Sequence, residues 1–357
     1  MNKIIIFLLL IGLGCKKIDP PSNEFIDREF WADAITVAKV DFISKQGNIM
    51  NFNMHVVATK NAETHHKYPN SSFFPVSLGF PITIDSISKN ETNNNLAFQT
   101  IILIDETPKG WGPQNTRKFF DALNRMNRLC KNENNQTFGI GFYARDEYFG
   151  ETPVNYFTNE NTEFFNHTEQ EIMAFICKFY TALGIPLSSS LYDAMNSALD
   201  KLIDNPISQN QSITVIMGSN DDGLSSITYT NFLQKCLDNN IKVNLIASDV
   251  PSYNYFQLAL STGGFISDNS GTSISGNHSS RTAESVVFHI YDMLAQNYKE
   301  YIIHCKATRT TSWVAGTIFN SYLEANYTQE ITGNYFEDDL YDDLEINQKL
   351  PISIKVQ

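Results

Sequence analysis

Between Leu96 and Gln296, short and nearly unbroken apolar runs alternate with longer stretches whose apolar residues recur every three or four positions. "FQTIILID", "TFGIGFYA", "VNYFT", "SITVIMG", "IKVNLIAS" and "FISD" read as strands, and most of them have no polar side to offer to water. The stretch "NTRKFFDALNRMNRLCKN" places Phe119, Leu123, Met126 and Cys130 on one helical face. Thr168 and Glu171 form a capping box ahead of Ile172, Phe175, Ile176 and Phe179. Further helices are expected in "SSLYDAMNSALDKLID", which stops before Pro206, and in "YTNFLQKCLDNN", "YFQLALSTGG" and "AESVVFHIYDMLAQ". Strands covered on both faces by helices make an α/β fold with a doubly wound, mostly parallel sheet.

The residues on either side follow a different period. From Ala34 to Ser88 the runs "ITVAKVDFIS", "NIMNFNMHVVAT", "FFPVSLGF" and "ITIDSI" alternate apolar and polar positions, and after Gln296 the same habit returns in "YKEYIIHCKATR", "SWVAGTIFNSYL" and "PISIKVQ". The economical arrangement is one β-sandwich formed from the N- and C-terminal strands, residues 34–95 and 298–357, with residues 96–297 inserted between them. No internal repeat is visible.

Residues 1–15 begin with a lysine and an apolar stretch, Ile4 to Leu13, followed by Gly14 and Cys15. That stretch is too short to cross a hydrocarbon core of about 30 Å, which needs roughly 20 residues, so it reads as a signal peptide. Cys15 stands where a bacterial lipoprotein box places its lipidated cysteine, although Gly12 departs from the usual leucine. Lys16 favours the outer membrane of a Gram-negative bacterium by the same resemblance, with residues 16–33 as a polar tether. The formal net charge of −13 argues against nucleic acid as a partner, because phosphate binding needs a basic face. Cys130, Cys177, Cys236 and Cys305 form no close pair and occupy apolar positions, as buried free thiols do.

Residues 96–297 resemble a von Willebrand factor type A domain. The pieces that carry the likeness come in order: "IILIDET", "SSSLYDAMNSAL" at the family's "GTxLYDA", "SITVIMGSNDDG" at a strand running into "TDG", then "NNIKVNLIAS" and "LALSTGGFIS". The resemblance implies a loop crown beyond the carboxyl ends of the strands. It also implies a metal-ion site made from Asp-x-Ser-x-Ser on the first loop, a threonine on the second and an aspartate on the third. Mg²⁺ suits such hydroxyl and carboxylate oxygens. Asp105 and Thr107 keep the first two positions, Lys109 replaces the last serine, Ser189 stands at the threonine, and Ser219 replaces the aspartate ahead of Asp221 and Asp222. An ammonium cannot ligate and repels a dication, so the set is degenerate and any Mg²⁺ or other divalent cation is expected to bind weakly.

Three readings of these loops stand open. The crown is a metal-free polar surface; a shifted site survives through Asp221 or Asp222; or Lys109, beside Asp105 and Glu106, itself attracts an acidic group. Other chemistry is thin. His65 and His66 lie in a polar stretch, His278 stands alone among serines, His289 and His304 occupy periodic segments, and "EDDLYDDLE" lacks the spacing of a calcium loop. No P-loop, nucleophile elbow or zinc-protease motif is present. The chain is expected to be a non-enzymatic, lipid-anchored binding protein whose crown recognises a protein or cell-surface ligand, with no required cofactor. The alternative is a structural subunit of an envelope assembly that uses the type A fold as a metal-independent docking body.

Overall fold

The computed structural model describes residues 34–60, 63–65, 73–76, 80–105, 123–130, 135–143, 154–156, 190–217, 223, 225–247, 253–268, 280–330 and 343–357. The strands are β1 (Ala34–Gln46), β2 (Ile49–Lys60), β3 (Glu63–His65), β4 (Phe73–Val76), β5 (Ile82–Glu91), β6 (Phe98–Asp105) and β7 (Gln136–Tyr143). Then follow β8 (Val154–Tyr156), β9 (Gln211–Met217), β10 (Lys242–Ala247), β11 (Ile266–Asp268), β12 (Lys299–Thr308), β13 (Ile318–Glu330) and β14 (Asp343–Lys355). The described helices are α1 (123–130), α2 (Leu191–Asp204), α3 (Tyr229–Asp238), α4 (Tyr253–Thr262) and α5 (Ser280–Ala295).

Every residue of β6 and β7 is buried, as their apolar runs require. Strand β6 pairs in parallel with β7 on one side and β9 on the other, and β9, β10 and β11 continue in parallel. Counted from β6 as the first, these strands stand in the doubly wound order 3-2-1-4-5-6, whose direction reverses between β6 and β9. Helices α1 and α5 cover one face, where Leu123, Met126, Val287 and Ile290 meet Phe98, Ile102 and Ile140. Helices α2, α3 and α4 cover the other, with Met195, Leu199, Phe232 and Phe256 against Ile101, Val215 and Leu245. Each such side chain removed from water contributes about 1.5–3 kcal/mol.

The sandwich shares this sheet. Strand β1 pairs antiparallel with β11 through Ile35, Thr36 and Val37, and the order then runs β1-β2-β12-β5 to give eleven strands with β3 attached to β2. The smaller sheet, β14-β13-β4, packs on that extension, burying Met50, Phe52, Met54, Tyr301 and Ile303 against Phe319, Leu323, Ile352 and Ile354. Strands from both flanks therefore complete one sandwich, and its larger layer is continuous with the α/β sheet. Residues 63–65, in a polar stretch with no strand pattern, form β3 by pairing Thr64 with Thr59 of β2. Although "SWVAGTIFNSYL" alternates like a strand, Trp313 lies before β13, with its backbone N–H donating to the Gly47 carbonyl.

Cys130, Cys236 and Cys305 are buried free thiols, and burial pushes each of them up to about 12. Cys15 and Cys177 lie outside the described residues, as does all of residues 1–33, where a leader and tether are expected. Among the described residues no helix is long and apolar enough to cross a membrane.

Candidate functional site

Asp105 ends β6, and its side chain is buried to 1% exposure. Ligands of doubly wound sheets bind outside the carboxyl ends of the strands where their order reverses, and that reversal lies between Asp105 on β6 and Met217 on β9. The apolar strand thus delivers one carboxylate to the floor of a crown, as its sequence indicated. The crown loops follow β6, β9 and β10 and lead toward the helix N-termini. Glu106, Thr107, Lys109, Ser189, Ser219, Asp221 and Asp222 lie outside the described residues. Among the described residues no three His, Cys, Asp or Glu side chains stand close enough to hold a metal ion.

Two residues that the sequence reading passed over tie the crown together. Helix α2 begins after Ser190, whose side chain makes no cap bond. Its orphan N–H groups are met from another loop: Tyr192 and Asp193 donate their backbone N–H groups to Ser225 Oγ at 3.1 and 3.3 Å. Asp193 answers in the opposite direction. Its Oδ2 accepts from the Ser226 N–H at 2.8 Å, while its Oδ1 accepts from the Ser226 hydroxyl at 2.9 Å and from the Ile227 N–H at 3.0 Å. A reciprocal cap of this kind is familiar within one helix terminus; here it joins the start of α2 to the loop between β9 and α3. Gly223 of that loop has φ +74°, a left-handed conformation that glycine adopts at least cost. Thr228 then caps α3, its hydroxyl accepting from the Asn231 N–H.

Aromatic rings back this clamp. Tyr192 stacks on Tyr255 at the start of α4, with centroids 5.3 Å apart and planes 18° apart, and meets Tyr229 and Phe232 of α3 at an angle. Three helix N-termini are held together on the crown side, each carrying the positive end of its peptide dipoles. The only sequence signal for the clamp was the "LYDA" segment, which drew attention to a fold and not to Asp193 itself.

The opposite end of the sheet reads as structural. Gly263, with φ +75°, ends α4, and a Cβ on Gly264 would stand 2.0 Å from the Val243 carbonyl oxygen. The glycine pair of "STGG" is there to let α4 return onto β10. Asn210, Ser212, Lys242, Asn244, Gln296 and Tyr298 line a cavity of about 60 Å³, room for little more than water. Lys242 donates to Asn210 Oδ1 at 3.1 Å and lies under the C-terminal ends of α4 and α5, whose dipoles favour a cation.

The other candidates fall elsewhere. His289 is buried between the hydroxyls of Thr36 and Thr59, and burial holds it neutral, down to about 3. His304 bonds Asn53 and Ser88 on the open face of the extended sheet. His65 belongs to β3, and His66 and His278 lie outside the described residues. Of the acidic run, Asp343 and Glu345 begin β14 and pair with Glu330 and Thr328 of β13.

No protein-family model matches the sequence, and no curated protein matches it. Among solved structures, a von Willebrand factor type A protein from Catenulispora acidiphila is similar over 90% of this chain and 74% of its own, at 7% identity and TM-score 0.41. The pilus adhesin SpaC from Lactobacillus rhamnosus GG, in its open conformation, is similar over 88% of this chain at 7% identity and TM-score 0.37. Proximal thread matrix protein 1 from the mussel byssus is similar over 57% of this chain at 10% identity and TM-score 0.38. The chain spans about half the length of the last two, 47% and 49%. These solved structures resemble the chain in fold, and von Willebrand factor type A structures are among them.

Proposed function

We propose that this chain is a non-enzymatic binding protein, exported and lipid-anchored through Cys15, which recognises a protein or cell-surface ligand with its crown. One observation carries the reading: a buried carboxylate, Asp105, stands at the strand-order reversal, on the side of the sheet where the first turn of α2 is fastened to the 225–227 turn. In this proposal no cofactor is required. The donor set suits Mg²⁺ poorly: Asp105, Thr107 and Ser189 offer oxygens, while Lys109 and Ser219 stand where a hydroxyl and a carboxylate would be needed. In the form with a weakly bound cation, Asp221 or Asp222 completes its shell; in the form without one, Lys109, near Glu106 in sequence, serves an acidic ligand.

Site-directed photocrosslinking in the producing cells tests the proposal. A crosslinking residue at Lys109 samples the crown, and one at Val314, 65% exposed beside the β1–β2 turn, samples the opposite end. Adducts at the crown and none at Val314 are expected. Adducts only at Val314 or on helix faces would replace this reading with the docking-body one, and no adducts at any position would overturn it. Calorimetry of Mg²⁺, Mn²⁺ and Ca²⁺ against the chain and Asp105→Ala separates the metal-free and shifted-site forms.

A further inference from the structure

We infer that Asp193 and Ser225 are positioning residues at the crown, fastening the first turn of α2 to the 225–227 turn by hydrogen bonds, so that this junction is assembled before and without a cation. The inference rests on the crown being the binding face and concerns what holds it in shape. Five side-chain bonds join the first turn of α2, which follows Ser189 in sequence, to the 225–227 turn, which follows Ser219, Asp221 and Asp222. Those bonds run both ways. Ser225 supplies the acceptor that the first turn of α2 lacks, and Asp193 supplies the acceptors that the 225–227 turn lacks.

The chemistry of Asp193 agrees. Its carboxylate is the acidic group in the first turn of α2, where the helix dipole favours negative charge, and all three of its side-chain bonds go to Ser226 and Ile227. It is spent on holding the loop, not on ligating a metal. Tyr192, its neighbour, is pinned in turn between Tyr255, Tyr229 and Phe232, so that α2, α3 and α4 meet the crown as one unit. A surface set in advance loses less conformational freedom when a partner arrives.

Residue-resolved amide hydrogen exchange on the full chain, in EDTA and in excess Mg²⁺, tests this. The amides of Tyr192, Asp193, Ser226 and Ile227 should be protected equally in both. Ser225→Ala should speed exchange at Tyr192 and Asp193 by about tenfold or more, and Ser225→Thr, which keeps the hydroxyl, should restore protection. Asp193→Ala should do the same at Ser226 and Ile227, while β13 amides keep the wild-type rate. Protection that arises only with Mg²⁺, or variants that exchange like wild type, would overturn the inference. If a variant fails to fold, the wild-type comparison between EDTA and Mg²⁺ decides by itself. No partner enters the measurement, so failure of crown crosslinking would sink the proposed function and leave this result standing.

Discussion

A Cβ on Gly264 would sit 2.0 Å from the Val243 carbonyl oxygen, a contact that only a shift of the β10 backbone could relieve. Gly264→Ala should therefore cost about 3 kcal/mol or more, whereas Gly263→Ala, strained in φ alone, should cost about 1 kcal/mol; urea midpoints compare the two. Asp292 carries a second residue-level signature. Burial first, and the nearby Glu63 carboxylate second, push it up to about 7. An acid with a raised folded value favours the fold while protonated, so its contribution is full below the unfolded value of about 4 and is lost as pH rises to about 7. Asp292→Asn should raise stability at pH 8 relative to wild type and leave it little changed near pH 4. Glu300 has the opposite sign: burial alone would raise it, but hydrogen bonds from His55 and Asn90, together with the His55 and Lys39 charges, outweigh that and hold it below the usual range. Its contribution is present above the unfolded value and lost as pH falls through the folded one. At this scale the sequence was legible where a residue ends an apolar run, as Asp105 does. Asp193 was not, because its bonding partners lie 33 and 34 positions away and no period announces a cap made from another loop.

The elements were the most legible scale, since burial on two faces leaves a strong mark on a short strand. Helices α2 and α3 fall within the stretches whose periodicity indicated them, α4 and α5 begin two and three residues ahead of theirs, and α2 ends at Asp204, two residues before Pro206. What periodicity could not show is which element meets which. Helix α5 docks on the sandwich half of the sheet through His289, whose ring is bonded by Thr36 of β1 and Thr59 of β2. The neutral imidazole can donate to one hydroxyl and accept from the other, a pairing that a charged ring could not make without desolvation cost. His289→Ala should destabilise by about 2–4 kcal/mol through lost packing and two stranded hydroxyls, read as a lower urea midpoint. The three-residue β3 left no apolar pattern at all, and its strand character comes only from pairing with β2.

At the scale of the molecule, the two flanking β segments and the segment between them share one sheet, so neither half can unfold without exposing a strand edge of the other. Gln257 of α4 adds side-chain bonds to Asn320 and Ser353 of the smaller sheet. A single cooperative transition is expected: Trp313 fluorescence, with Trp31 and Trp111 replaced by Phe, should report the same urea midpoint as far-ultraviolet dichroism. Two separated midpoints would show the halves to be independent. That continuity escaped the sequence because the pair joining the halves, β1 with β11, spans only three residues and could not be told from an ordinary edge. The same pair also sets a reach. Because β1 runs antiparallel to β11, with Ile35 opposite Asp268, the chain enters the sheet at the crown end. On the proposal that Cys15 is lipidated, residues 16–33 span at most about 60 Å, which bounds how far the start of β1 stands from the lipid. On that proposal, a ligand of the crown is expected close to the membrane that carries the anchor.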